Sequence, residues 1–121
     1  MEVLRLCEDE AGESRFDTYT LSMELKDFAP PADPLLVSEG ESATRYVMIR
    51  LPAGWGGARH RTPRRQILFC LGGALRVTAS SGEERQVGAG DAWLMADTTG
   101  KGHTTAVISE GPVDAVIVQL E

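Results

Sequence analysis

The chain has 121 residues, 42% hydrophobic and 25% charged, which excludes a wholly disordered chain or a fibrous repeat and suits a single hydrophobic core. Its formal net charge of −6 argues against nucleic-acid binding, because that function requires clustered Lys and Arg. The N-terminus lacks the long apolar core of a signal peptide, and no apolar run is long enough to span a membrane. We therefore expect a cytoplasmic protein with neither a nucleic-acid nor a membrane partner.

The N-terminal 34 residues predict strands followed by a loop. Apolar and polar residues alternate over 19–25, as in a strand with one buried face. Residues 28–34 contain three prolines, which prevent continuous ladder pairing and predict an irregular loop. We therefore assign 1–34 to an N-terminal extension and 35–121 to the main domain.

The remainder of the chain predicts an all-β fold. Further strands are predicted at 35–38, 44–51, 66–71, 74–79, 85–87, 91–95, 103–108 and 113–120, each rich in Val, Ile, Leu or Thr. The tetrapeptide 80–83 predicts a hairpin turn, because Gly82 tolerates a positive φ. About eight short strands with close turns favour a sandwich, jelly roll or barrel.

The two cysteines are interpreted as free thiols. Cys7 and Cys70 are too few and too far apart for a disulfide framework or a zinc cluster. Cys70 lies in an apolar run, which favours a core residue over a nucleophile.

His60 and His103 are the only histidines, and each lies in a glycine-rich segment beside a predicted strand. If Gln66 points inward, period-two geometry turns Leu68 and Cys70 inward as well. A buried amide without hydrogen bonds costs about 1–3 kcal/mol. Gln66 should therefore bond a histidine, a metal, a water or a ligand, with the two histidines as natural candidates.

These three side chains leave two kinds of site open. Two imidazoles can hold Zn²⁺, Fe²⁺, Ni²⁺ or Mn²⁺, with the amide oxygen of Gln66 as a weak third ligand. The alternative is a metal-free pocket in which the histidines bond Gln66 and Thr62. A histidine can also act as general acid or base without a metal. The catalytic candidates are His60, Gln66 and His103 in either case.

Residues 59–65 contain four arginines, and guanidinium groups pair well with carboxylate or phosphate. This cluster suggests an anionic or oxygen-rich ligand, although ten Arg against two Lys also indicate a general preference for Arg. We take Thr62, Arg64 and Trp55 as ligand-binding candidates. Trp93, in an apolar strand, is interpreted as core.

The tract from Thr98 to Gly102 resembles a phosphate-binding loop only superficially. No glycine stands five residues before Gly100, and Lys101 is followed by Gly102 instead of Ser or Thr. We interpret the glycines as allowing a tight return into the strand of His103, with Asp97 bonding backbone groups. The alternative role for Asp97 is to orient a histidine.

Residues 44–120 resemble a small single-domain cupin. The first cupin motif has its glycines and first histidine matched by Gly54, Gly73 and His60, all at the family's spacing. Thr62 stands where the family has a second histidine, and Gln66 where it has a glutamate. In the second motif Ala96 replaces a proline, and His103 comes two residues late. The tracts 63–66 and 97–103 are similar to those of a group of small bacterial cupin-like proteins.

The resemblance implies a cupin-type double-stranded β-helix, or jelly-roll barrel, enclosing a small-molecule pocket. From the residues of this pocket we expect binding of a small polar or anionic metabolite, and the enzymatic hypothesis is a non-oxidative isomerase, cyclase or lyase activity assisted by a divalent metal. The alternative is a non-catalytic ligand-binding or sensory cupin without metal. The resemblance and the edge strands expected in 1–34 together predict a homodimer.

Overall fold

The computed structural model describes residues 1–121 and contains eleven strands and no helix, so nothing in the chain is a helix that could cross a membrane. In chain order the strands are β1 (Glu2–Glu8), β2 (Ser14–Thr20), β3 (Met23–Lys26), β4 (Leu35–Ser38), β5 (Ala43–Leu51), β6 (Gln66–Gly72), β7 (Ala74–Ala79), β8 (Glu84–Gly88), β9 (Ala92–Met95), β10 (His103–Val107) and β11 (Val113–Leu120). The all-β prediction is confirmed.

The strands form two barrel sheets and a separate ribbon. The larger sheet has the order β2-β1-β9-β6-β11-β5, and the smaller has the order β10-β7-β8. All pairs are antiparallel except β1 with β9, which run parallel. The third unit is the two-stranded ribbon β3-β4. The two larger sheets together make a jelly-roll barrel.

Each strand predicted from residue 35 onward is present, with ends within one residue of the prediction. The 80–83 turn is also confirmed, because Gly82 has φ +93° and the N–H of Ala79 donates to the carbonyl of Glu83 (2.9 Å). The 19–25 prediction is wrong in one respect. The strand breaks between Thr20 and Met23, where the N–H of Leu21 turns back to the carbonyl of Met1 (2.9 Å).

The core lies between the two barrel sheets. On β6 the side chains of Gln66, Leu68 and Cys70 are buried, whereas Phe69 and Leu71 are exposed, as the period-two argument predicts. Burial raises the pKa of the Cys70 thiol, which keeps it protonated and unreactive. The strand therefore turns Gln66, Leu68 and Cys70 toward the barrel interior, as predicted.

The β1-β2 hairpin is part of the larger barrel sheet. Val3 and Leu6 on β1 are completely buried, and the carbonyl of Leu6 accepts a hydrogen bond from the N–H of Ala96 (2.8 Å). In contrast, β4 pairs only with β3 and belongs to neither barrel sheet. The Pro-rich residues 27–34 form the irregular turn of this ribbon, as predicted.

Candidate functional site

The two histidines meet at one end of the barrel. The strand of His103 exchanges a pair of backbone hydrogen bonds with the segment carrying His60, with N–O distances of 2.9 and 3.0 Å. Their ring centroids are 4.8 Å apart and the rings are inclined at 54°. The imidazole of His103 is fully buried, whereas His60 is exposed. The structure thus brings together two residues that are 43 positions apart in the sequence.

His103 is held by a buried carboxylate. Its Nδ1 lies 2.5 Å from Oδ2 of Asp97, and the hydroxyl of Thr62 donates to Oδ1 of the same carboxylate (2.7 Å). The edge of Trp93 contacts the imidazole, with centroids 5.6 Å apart, and Trp93 is buried as predicted. The Nε2 atom of His103 is buried and has no hydrogen-bond partner. The barrel interior therefore contains a buried imidazole nitrogen that has no hydrogen-bond partner.

Both imidazoles leave the same ring nitrogen, Nε2, as the hydrogen-bond acceptor. Nδ1 of His60 lies 2.9 Å from the carbonyl of Ala58, which accepts only, so this nitrogen is the donor. Nδ1 of His103 is the donor toward the carboxylate of Asp97 by the same argument. In the neutral rings, Nε2 of each histidine then carries the lone pair. The two lone pairs are available to a hydrogen-bond donor or a metal.

A cavity of about 240 Å³ lies beside these nitrogens, and its wall includes His60 and His103. Eight of its thirteen wall residues are hydrophobic, so the space is mainly apolar. The other polar side chains on the wall are Gln66 and Thr105. Three larger depressions on the surface contain no histidine, so the chemistry of the site points to this smaller cavity.

Gln66 lines the cavity but does not contact either histidine through a hydrogen bond. Its Oε1 accepts from Nε2 of Gln119 (3.4 Å), and its own Nε2 lies 3.5 Å from Sδ of Met95. Gln119 is directly opposite Gln66 in the β11-β6 register, and Arg45 donates to its Oε1 (2.6 Å). Cross-strand pairing thus gives the buried amide a partner other than the expected histidine.

The three predicted ligand-binding residues have different positions. Trp55 is about one-third exposed and lines the cavity at its rim, as expected. Thr62 is buried, but its hydroxyl is engaged by Asp97 and it is not on the cavity wall. Arg64 lies on the surface, outside the cavity wall. Neither Thr62 nor Arg64 is therefore positioned to contact a molecule within this cavity.

The remaining arginines of the cluster also lie outside the cavity. Arg59 and Arg61 are exposed, and Arg65 forms an ion pair with Glu41. The wall of the cavity contains no arginine. The guanidinium cluster, which suggested an anionic ligand, does not extend into the barrel because these side chains belong to the loop that precedes β6.

The carboxylate of Asp97 bonds two side chains and not the backbone groups first expected for it. The alternative role, orienting a histidine, is the one that the geometry supports. Sequence reasoning missed Thr105 and Met95 on the cavity wall. Thr105 follows His103 by two residues on β10, so period-two geometry would have turned it to the same face.

The tract between Asp97 and His103 rests on the β1-β2 turn. Lys101 donates its backbone N–H to the carbonyl of Gly12 (2.9 Å), and Ser14 donates its hydroxyl to the carbonyl of Gly102 (2.7 Å). The Lys101 ammonium also pairs with Glu13, and this hydrogen bond lowers the pKa of the Glu13 carboxyl. The N-terminal hairpin therefore supports the loop that leads into His103.

Comparison with known families supplies the identity of the fold. The family profile described as "Cupin domain" matches residues 47–119, which run from β5 to β11 and include both histidines. The chain belongs to the cupin family. The comparison with curated proteins found no match.

Solved structures of other cupins agree on the fold. A cupin 2 conserved barrel domain protein from Salinispora arenicola superposes with a TM-score of 0.55 at 13% identity, covering 84% of this chain and 76% of that one. A cupin domain from Bordetella pertussis gives 0.51 at 15% identity, covering 70% and 99%. A sugar phosphate isomerase from Silicibacter pomeroyi gives 0.52 at 20% identity, covering 63% and 49%, so this chain spans about half of its length.

The donor set of this cupin suits a weakly held divalent metal. Each Nε2 is backed by an acceptor on Nδ1, which is how proteins usually orient metal-binding imidazoles. No third His, Cys, Asp or Glu joins the two histidines, and the remaining side-chain oxygen ligands on the cavity wall belong to Gln66 and Thr105. His60 and His103 would hold Zn²⁺, Fe²⁺, Ni²⁺ or Mn²⁺, and the ion would supply a Lewis acid.

Gly102 controls the approach of the two histidine segments, so we expect Gly102→Ala to lower the free energy of unfolding by about 2 kcal/mol. The residue has φ +78°, and an added Cβ would lie 2.4 Å from the carbonyl oxygen of His60. Gly54→Ala is the matched control, because Gly54 has the same φ and no neighbour within 4 Å. It should lose about 1 kcal/mol in urea unfolding. Equal losses in the two variants would contradict a role for the contact with His60.

Proposed function

We propose that this cupin binds a small molecule in the barrel cavity through Nε2 of His60 and His103, either directly or through a divalent metal. The observation that carries the proposal is the unpartnered Nε2 of His103 in a buried, mainly apolar setting. A buried polar atom without a partner costs about 1–3 kcal/mol. A donor group of a ligand, or a metal ion, would recover that cost.

The cavity wall favours a compact ligand with an apolar body. At about 240 Å³ the cavity lies just below the range of roughly 300–1,000 Å³ that is typical of ligand pockets. Hydrophobic side chains such as Leu68, Leu75 and Ile117 form most of the wall. The polar or anionic metabolite suggested by the arginine cluster fits this wall only if its polar group is confined to the end beside the histidines.

The chemistry proposed for the site is non-oxidative, of the isomerase, cyclase or lyase type. Its basis is the pair of imidazoles, which can orient a substrate or exchange a proton with it, alone or beside a Lewis-acidic metal. One protein of similar fold is called a sugar phosphate isomerase, but at 20% identity the similarity concerns the fold alone. The alternative is a sensory cupin that binds the same ligand without changing it.

The test begins with Zn²⁺ and Ni²⁺ titrations by isothermal calorimetry on protein purified without chelator or affinity nickel. We expect saturable binding to the wild type, weakened at least tenfold in His103→Ala and abolished in His60→Ala/His103→Ala. The native metal content of the wild type and the double variant, measured by elemental analysis, identifies any ion that copurifies. A library of small apolar molecules carrying one hydroxyl or amine is screened on the same proteins by ligand-observed NMR.

The outcomes separate the alternatives. Fragments that bind the wild type and not the double variant would support the cavity as the site. If a bound fragment is then converted into a product, the result supports the enzyme. Saturable binding with no conversion supports the sensor. A wild type that binds none of the metals and none of the fragments would overturn the proposal.

A further inference from the structure

A second buried polar atom without a partner belongs to the wall of the barrel cavity. Trp93 is 1% exposed, and its indole Nε1–H donates to no acceptor in the protein. Buried tryptophans usually direct this group at a hydrogen-bond acceptor, because a lone N–H in an apolar setting is destabilising. An indole N–H can only donate, so the partner that it lacks is an acceptor.

The strand register turns Trp93 toward the cavity. In the pairing of β9 with β6, Trp93 lies opposite Leu68 and Met95 lies opposite Gln66. All four residues line the cavity that contains the two histidines. No other cavity or surface depression includes Trp93 in its wall. An acceptor for Nε1 of Trp93 would therefore come from the space inside this cavity.

Trp93 and His103 bring complementary groups to the same space. Their rings meet edge to face, with centroids 5.6 Å apart and planes inclined at 80°. Nε2 of His103 is an acceptor without a donor, and Nε1 of Trp93 is a donor without an acceptor. One small group can satisfy both, because two hydrogen bonds of about 2.9 Å join nitrogens that are up to about 6 Å apart.

We propose that the ligand of this cavity carries a hydroxyl group that accepts from Nε1 of Trp93 and donates to Nε2 of His103. The proposal rests on the ligand-binding function proposed above, in the form in which His103 binds the ligand directly. A hydroxyl group has one donor hydrogen and two acceptor lone pairs, so a single oxygen serves both nitrogens. The mainly apolar wall suits the carbon skeleton. The ligand class is therefore a small apolar alcohol or phenol.

Other chemical groups fit these two nitrogens less well. A carboxylate would accept from Trp93, but it has no proton for His103, and the cavity wall contains no Lys or Arg to balance its charge. A neutral aromatic amine donates to His103 but is a poor acceptor, because its lone pair is delocalised into the ring. A hydrocarbon does neither. The hydroxyl group is thus the one that the site would select over these three.

Three probes of the same shape separate the two hydrogen bonds: phenol, aniline and toluene. Each is a six-membered ring with one small substituent and is neutral at pH 7. Phenol can make both hydrogen bonds, aniline only the one to His103, and toluene neither. Dissociation constants are measured by NMR titration of the full chain. We expect phenol to bind about tenfold more tightly than aniline, and aniline to bind more tightly than toluene.

Trp93→Phe removes the indole N–H and keeps an aromatic side chain. The roughly tenfold preference for phenol over aniline should disappear in this variant, whatever happens to the absolute affinities. Trp55→Phe is the matched control, because Trp55 lines the same cavity but lies about one-third exposed at its rim. The control should keep the preference. Far-UV circular dichroism establishes that both variants are folded.

The wild type offers a second readout that requires no substitution at Trp93. Its two tryptophans give two indole N–H resonances in ¹⁵N-labelled protein, and Trp55→Phe identifies the one that belongs to Trp93. A new hydrogen bond moves an N–H proton resonance downfield. The three probes have similar rings, so their direct effects on this resonance are similar. We expect phenol to move the Trp93 resonance further downfield than aniline or toluene does.

A preference for phenol that disappears in Trp93→Phe, together with the downfield shift in the wild type, would support the proposal. Equal wild-type affinities for phenol and aniline, or a preference that survives in folded Trp93→Phe, would overturn it. If both probes still lose affinity in His103→Ala, the ligand-binding function stands without the role of Trp93. Failure of all three probes to bind would also overturn the role of Trp93, and the metal titrations would then test the ligand-binding function separately.

Discussion

Asp97→Ala is expected to lower the free energy of unfolding by about 3 kcal/mol, because it removes the buried partner of two groups at once. The carboxylate accepts from the Thr62 hydroxyl and from Nδ1 of His103, and all three side chains are buried. Both groups are buried in the barrel and would lose this partner. Urea unfolding followed by circular dichroism measures the loss. Asp33→Ala, at an exposed carboxylate in the ribbon loop, is the control and should change little.

Asp97→Asn separates the positioning role of Asp97 from its structural role. The asparagine side chain keeps the shape of aspartate, so stability should fall less than in Asp97→Ala. A neutral amide would replace the carboxylate beside Nδ1 of His103, so the ring would lose the negative charge that raises the basicity of Nε2. We expect Zn²⁺ affinity to fall about 10- to 100-fold in calorimetry while the protein stays folded. Unchanged affinity in this variant would contradict the positioning role.

Leu6→Ala is expected to destabilise the barrel by about 3 kcal/mol, because it leaves a cavity in the core. Leu6 is completely buried and lies opposite Met95 in the parallel β1-β9 register. Its packing therefore couples the N-terminal hairpin to the strand that leads to Asp97. The measurement is the midpoint and slope of urea unfolding, with Glu2→Ala on the same strand as an exposed control.

The Leu6→Ala result also tests whether residues 1–34 fold separately from the barrel. If residues 1–34 were an extension that folds apart from the barrel, the variant would leave the main unfolding transition unchanged. A single transition shifted to lower urea would instead show that β1 and the barrel unfold together. The two outcomes differ in the number of transitions as well as in their midpoints.

Most of the barrel was predictable because its strands are short and strongly patterned. From residue 35 onward each apolar run is bounded by Gly, Pro, Ser or Asp, and these residues end strands through local backbone preferences. Strands were expected within residues 1–34, but β1 was not placed, since Arg5 and Glu8 interrupt the apolar residues around Leu6. Its burial depends on pairing with β9, a partner almost 90 residues away, and no local pattern encodes that pairing.

The site was predictable in its histidines and less so in their partners. His60 and His103 were found because they are the only imidazoles and lie at cupin spacings. The partner of Gln66 was not, because β11 brings Gln119 opposite Gln66 across the sheet. Asp97 was weighed for two roles, and the loop geometry that selects one of them depends on contacts with the N-terminal hairpin.

The sequence by itself determined the all-β class, the strands of the barrel, the inward face of β6 and the two histidines of the site. These features depend on local periodicity, on glycine and proline, and on the scarcity of a residue type, all of which act over a few positions. Tertiary structure alone decided the Thr62–Asp97–His103 arrangement and the exclusion of the arginines from the cavity. Each of these depends on which distant strands become neighbours, and that is fixed by the packing of the whole chain.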